Sequence, residues 1–249
     1  MEIDEKRFET AKDKIIGKYR QRQLIGTLSE KTVHAVIKNY YEPDEDKQEI
    51  PIEGLYADIF TGEEIIEIQT RNFDRLREKL NRFLPLYPVT VVLPIPDTKW
   101  LIWIDEVTGE LTEKRKSPKR GNAYQAFKEL YKIKSYLKQE NLKIFLLFLD
   151  MEEYRLLNGW SNNKKKGSSR YDRIPKKINK ELNFTCPKDY MQLMPMELPD
   201  IFTVKEFSKY VKITDRQAGL VLNILFYLDV VQRVDKKGNA YLYKVNDLY

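Results

Sequence analysis

Apolar residues in the first forty positions recur at helical spacing. Phe8, Ile15, Ile16 and Tyr19 mark one helix within Met1–Gln23. Val33, Val36, Ile37 and Tyr40 mark a second, N-capped by Ser29, running to about Tyr41. Pro43 and the acidic run Asp44-Glu45-Asp46 end it. The pattern then shortens to strands: Glu49–Ile52, Leu55–Phe60 and Ile65–Thr70, the last two joined by the turn Thr61-Gly62-Glu63-Glu64. Asn72 is placed to cap a helix that buries Phe73, Leu76, Leu80, Phe83 and Leu84. Val89–Ile95 is a continuous apolar run, as in a strand covered on both faces. A turn at Asp97-Thr98-Lys99 leads to a further strand, Trp100–Ile104.

The second half continues the alternation. A helix is predicted over Ala123–Leu137, with Phe127, Leu130, Ile133 and Leu137 inward, then a buried strand over Leu142–Leu149 and a helical turn over Glu152–Leu157. Pro187, Pro195 and Pro199 mark a linker. Two helices, Thr203–Val211 and Asp215–Leu228, precede a hairpin of Val230–Val234 and Tyr241–Val245. The expected architecture is an α/β domain over 1–180, a linker over 181–200 and a small α+β domain over 201–249. No internal repeat is visible.

Composition narrows the class. Hydrophobic residues make up 42% of the 249, which suits a packed globule. No apolar run is long enough to span a bilayer, and the charged N-terminus has no signal-peptide core, so the expected location is the cytoplasm. A single cysteine, Cys186, excludes an internal disulfide and a cysteine zinc cluster. The net charge of +6 is unevenly spread: residues 1–70 hold ten Lys/Arg against sixteen Asp/Glu, whereas 114–180 hold nineteen against six. That layout suits a polyanion partner.

The chemistry concentrates on the first hairpin. A four-residue turn, 61–64, pairs Phe60 with Ile65 and so sets Asp58 opposite Glu67, with Gln69 on the same face. A two-residue turn would leave the carboxylates diagonal but still on one face. Directly opposed anions repel, so folding alone gives no reason for them. A hard divalent cation does, because Mg²⁺ favours one or two carboxylates completed by water and phosphate oxygens.

These residues, Gly54-Leu55-Tyr56-Ala57-Asp58 and Ile65-Ile66-Glu67-Ile68-Gln69, together with the order helix, three strands, helix, strand, resemble the PD-(D/E)xK nuclease superfamily. The resemblance covers roughly residues 28–105. It implies a restriction-endonuclease-like mixed sheet flanked by helices. It also implies a metal-dependent nuclease in which Asp58 and Glu67 hold Mg²⁺ or Mn²⁺, Glu30 is an additional acid, and DNA is the substrate rather than RNA. Gln69 stands where the family usually has lysine. Glutamine supplies neither a cation nor a base, so its implied task is to orient a water.

Other residues carry weaker signals. His34, the sole histidine, lies four residues after Glu30 on one helix face and suits either the metal edge or a structural role. Arg71 lies at a strand-to-helix junction, where anions are favoured. Lys116, Lys119 and Arg120 in one loop, and Lys164, Lys165, Lys166, Arg170 and Arg173 in another, are expected to contact the phosphate backbone, with Trp160 and Tyr171 able to stack on bases. Residues 201–245 resemble a winged helix, in which the second helix would enter a major groove with Arg216, Gln217 and Asn223 exposed. A protein-interaction role for that domain, including homodimer formation, is equally open. The Gln69 substitution supports a second functional expectation, a catalytically inactive nuclease fold that binds nucleic acid or regulates.

Overall fold

The computed structural model describes residues 3–21, 31–159 and 169–246. Helices α1 (Glu5–Gln21) and α2 (Lys31–Tyr41) pack on each other through Phe8, Ala11 and Ile15 against Val33, Val36, Ile37 and Tyr40. Three antiparallel strands follow: β1 (Gln48–Ile52), β2 (Leu55–Phe60) and β3 (Ile65–Ile68). Helix α3 (Phe73–Phe83) carries the chain to β4 (Val89–Ile104), which lies parallel to β3. β5 (Arg115–Lys116) pairs with the far end of β4. A broken helical stretch containing α4 (Phe127–Leu130) leads to β6 (Leu142–Leu156), parallel to β4, and β7 (Ser169–Phe184), antiparallel to β6.

Among the described residues, seven strands form one mixed sheet in the order β1-β2-β3-β4-β6-β7, with β5 beside β4. Helices cover both faces. Ile59, Ile66, Ile68, Val92, Leu147 and Leu149 meet α1 and α2 on one side. Val91, Leu93, Ile144 and Leu146 meet α3, α4 and the C-terminal elements on the other. The molecule is therefore α/β, with a mixed sheet flanked by helices. No helix among the described residues is long and apolar enough to cross a membrane.

Four elements differ from the sequence expectation. β4 is one sixteen-residue strand, and the predicted turn at Asp97-Thr98-Lys99 is a bulge within it. Pro94 and Pro96 are tolerated there for a definite reason. β3 ends at Ile68, opposite Val92, so the edge of β4 that would need their N–H groups has no β3 partner beyond that point. The predicted helical turn at Glu152–Leu157 is strand, because β4 and β7 flank it on both sides as far as Leu156. Its helix-forming residues yield to tertiary pairing. β7 was not expected as a strand at all; its charged sequence alternates poorly, and its ion pairs to β6 replace an apolar pattern. The helix predicted over Ala123–Leu137 is divided into 3-10, α and 3-10 segments, with Ile133 at φ −114° and ψ 20°. Phe127, Leu130, Ile133 and Leu137 still face inward.

The stretch expected as a linker completes β7 and forms a 3-10 helix, Pro187–Leu193, that buries Tyr190 and Leu193. β8 (Ile201–Phe202), α5 (Val204–Tyr210), α6 (Asp215–Tyr227), β9 (Val231–Lys237) and β10 (Ala240–Val245) follow, and the three strands form a second sheet. Both helices begin with capping boxes, Thr203 with Glu206 and Thr214 with Gln217. This unit shares one apolar core with the large sheet. Phe207 meets Tyr124 edge-on at 6.0 Å, and Lys134 donates to Asn223 Oδ1 at 2.8 Å. From Ala218 to Leu225 no residue of α6 is exposed, and Asn223 is half-buried. The middle of α6 cannot lie in a DNA groove in this arrangement.

Because the core is continuous, truncating it at α6 should destabilise the whole chain. Leu225→Ala is expected to cost about 2–5 kcal/mol. Urea unfolding followed by fluorescence and by circular dichroism should give coincident transitions, both shifted. A shift confined to one of two separate transitions would show an independent C-terminal core.

Candidate active site and adjoining basic cleft

β2 and β3 pair as a hairpin at Phe60↔Ile65 and Ile59↔Ile66, so the turn has four residues. The next rung would be Asp58 opposite Glu67, and there side chains replace the backbone ladder. The Asp58 N–H donates to Glu67 Oε1 at 3.3 Å, and the Ile68 N–H donates to Asp58 Oδ2 at 2.7 Å. The strands part, and the carboxylates fill the gap in the plane of the sheet. Both helical layers reach them. His34 Nε2, from α2, is 3.1 Å from Asp58 Oδ2. Lys79 Nζ, from α3, donates to Glu67 Oε2 at 2.7 Å and lies 4.0 Å from Asp58 Oδ1.

The two carboxylates divide in their acidity. Burial alone would raise Asp58, but the His34 hydrogen bond, the positive charge of Lys79 and the Ile68 N–H hold it below the ordinary carboxylate range. Glu67, 1% exposed, is pushed up to about 8 by burial first and by the charge of Asp58 second, against the pull of Lys79. Lys79 alone does not balance two carboxylates, and His34 on Asp58 is the second partner. The pair therefore retains a proton or attracts a further cation. That excess charge suits a divalent ion held by Asp58 and Glu67, with water and substrate oxygens as its remaining ligands. Among the described residues, no three His, Cys, Asp or Glu side chains cluster as a metal site. Glu30, expected as an additional acid, lies outside the described residues.

Gln69 follows on the strand, but its amide is directed locally: Nε2 donates to the Arg71 carbonyl at 2.6 Å. Asn72 sits at the N-cap of α3 in a left-handed conformation, φ 61° and ψ 47°, and its side chain does not cap. The Glu129 carboxylate does so instead, accepting from the Phe73 N–H at 3.0 Å. The helix terminus expected to meet a phosphate thus already holds an anion. Arg71 is exposed beside it.

A cleft of about 330 Å³ opens just past the carboxylates, over Leu93 and Ile95. Glu67 pairs with Val91 across β3 and β4, so these two residues continue the same sheet face. Thr70, Gln125 and Glu129 line the cleft, as do Lys99, Lys119, Arg120 and Arg173. Three expected phosphate contacts, Lys119, Arg120 and Arg173, are thereby brought together. Lys116 is not among them. It pairs with Trp100 on the opposite sheet face and lies 5.9 Å from that ring. Arg170 lies behind the cleft, 3.8 Å from Glu153. Tyr171 is the extra residue of a bulge in β7. Lys164, Lys165, Lys166 and Trp160 lie outside the described residues.

Sequence reasoning missed Lys79 and Glu153. A signal for Lys79 existed. It stands three residues after Leu76 and four before Phe83, a stripe position where an apolar residue is expected. Glu153 is wholly buried, yet Lys99, Arg155 and Arg173 lie 3.0, 2.5 and 3.1 Å from it. Burial would raise its carboxyl, but Lys99 and Arg173 hold it down to about 2. Those partners come from three strands, so no local pattern reports them.

A carboxyl whose folded-state value is raised binds its proton more tightly in the fold. Glu67 therefore withdraws stability as pH rises from its ordinary 4.5 to about 8. In Glu67→Gln that loss should be absent. The measurement is the urea midpoint across this window: the parent should fall relative to the variant. Parallel profiles would show that Glu67 carries no raised value.

The match to known proteins covers these elements. Residues 31–185, from α2 to just past β7, fit the model of DUF8091, a domain of unknown function. A protein of Treponema pallidum (strain Nichols) described as uncharacterized is 27% identical over 193 residues, which is 74% of this chain and 74% of that protein. No solved structure matches the chain. Since the family match spans well over half of the sequence and encloses both the carboxylate pair and the basic cleft, the chain belongs to the DUF8091 family.

Proposed function

We propose that this chain is a metal-dependent nuclease that hydrolyses phosphodiester bonds, with DNA as substrate, on a restriction-endonuclease-like sheet. The observation that carries the reading is the buried Asp58–Glu67 pair, bridged by Lys79 and followed on one sheet face by a cleft lined with four cations. Asp58 and Glu67 would hold Mg²⁺ or Mn²⁺, which when bound supplies polarisation of the phosphodiester and acidification of a water.

The chain's own groups do the remaining work. Lys79 offsets charge at Glu67 and stands where a developing oxyanion would gain from it. His34 orients Asp58 through Nε2. Lys119, Arg120 and Arg173 hold the phosphate backbone, and their contribution falls with added salt. The C-terminal unit, which we read as winged-helix-like, braces the cleft rather than reading bases, since the middle of α6 is covered.

One observation favours a second reading. Gln69, at the position where PD-(D/E)xK nucleases usually have lysine, spends its amide on the Arg71 carbonyl. That suits a protein that binds DNA without cutting it. One set of assays decides. Plasmid, linear duplex and single-stranded DNA are incubated at low salt with Mg²⁺ or Mn²⁺. Cleavage is expected, and Asp58→Asn, Glu67→Gln and Lys79→Ala should each lower its rate on the order of 10²-fold. No cleavage of any substrate, or undiminished cleavage by the carboxylate variants, overturns the nuclease. Salt-sensitive binding that survives those variants without cleavage establishes the second reading.

A further inference from the structure

The cleft beside the carboxylates gathers Lys99, Lys119, Arg120 and Arg173 around one concave space. Behind it lies Glu153, a buried carboxylate surrounded by Lys99, Arg155, Arg170 and Arg173 within 3.8 Å. One anion orders four cations, and two of them, Lys99 and Arg173, reach the cleft wall. Lys119 and Arg120 enter from the facing loop, exposed, and neither forms an ion pair among the described residues. The acid on the wall, Glu129, is already engaged by the Phe73 N–H at 3.0 Å and by Lys132 at 2.9 Å. Positive charge is left in excess inside a concave space whose size suits a small ligand.

The loop that brings Lys119 and Arg120 here is held close by its sequence. The Ser117 N–H donates to the Lys99 carbonyl at 2.7 Å, and the Gly121 N–H donates to the Asp97 carbonyl at 3.3 Å. At Gly121 a Cβ would stand 2.3 Å from the Pro96 carbonyl oxygen and 2.7 Å from Ile95 Cγ2. Only glycine permits that approach, so the cleft's narrowness is built into the chain.

An internal phosphodiester offers one negative charge, whereas a phosphomonoester offers nearly two and three acceptor oxygens. We infer that this cleft is a binding site for the terminal phosphate of a nucleic-acid strand, held between Lys119 and Arg120 on one side and Lys99 and Arg173 on the other. The inference rests on the nuclease reading and deepens it. Leu93 and Ile95, on the floor, lie two and four residues past Val91, the partner of Glu67. That is about 7–13 Å along the strand, a few stacked nucleotides at roughly 3.4 Å each. A strand anchored by its end would therefore lay a near-terminal phosphodiester over Asp58 and Glu67, and the site would act on ends.

The test is competition binding with the full chain in EDTA, so that cleavage plays no part. A labelled single-stranded oligonucleotide is displaced by unlabelled copies that end in 5′-phosphate, 3′-phosphate or hydroxyl only, and by a free mononucleotide. One phosphorylated end should compete at about tenfold lower concentration than the hydroxyl form, the factor given by roughly 1.4 kcal/mol. The double variant Lys119→Ala, Arg120→Ala should erase the difference, and Gly121→Ala should reduce it by displacing the loop. Equal competition by all ends overturns the inference. So does a preference that persists in the double variant, or displacement by the mononucleotide alone. A clear end preference in a protein that cuts nothing would sink the nuclease and leave the terminal-phosphate site standing.

Discussion

Asp58 and Glu67 lie buried in one gap between β2 and β3, and Lys79 brings a single ammonium within 4.0 Å of both. Much of the molecule follows from that unequal sharing. The β2–β3 ladder gives way to side-chain acceptors at this rung, while β3 stays paired with β4 as far as Ile68. Because β3 stops at Ile68, β4 runs on with one edge uncovered. That open edge admits Pro94 and Pro96, and it leaves Leu93 and Ile95 as the floor of a cleft. The cleft opens where β3 stops, just past the carboxylates.

The far end of the same sheet reverses the ratio. At the carboxylate gap two acids share one lysine; around Glu153 one acid holds four cations. Glu153 is kept ionised by its neighbours, while Glu67 is pushed toward its neutral form. A polyanion lying along this face would find its strongest attraction at the cleft.

What the sequence disclosed was local. The alternation in Leu55–Phe60 and Ile65–Ile68 brought Asp58 and Glu67 together in either of two registers, and the four-residue turn is the one observed. The stripe in α2 set His34 on a definite face, although not its distance to Asp58. What stayed hidden was non-local. Lys79 reaches Glu67 from the next helix, and its position in the Leu76–Phe83 stripe was the one available hint. The far halves of β4, β6 and β7 are charged ribbons whose strand character comes from pairing and ion bridges, so Glu152–Leu157 reads as helix in isolation. The capping of α3 by Glu129, 56 residues away, likewise has no signature near Asn72.

The C-terminal unit is linked to the acidic site by contact. α6 packs behind α4 through the shared core that contains Phe127, Leu130, Val221 and Leu225. α4 carries Glu129, which caps α3 at Phe73 and lines the cleft. α3 in turn carries Lys79 to Glu67. Each step is a packed helix or a charged hydrogen bond, with little slack for independent motion. The family match ends at residue 185, before this brace begins. The cleft wall and the Lys79 contact thus lean on elements outside the shared segment. A relative with a different C-terminal region would keep the carboxylate pair and yet hold the cleft at another width.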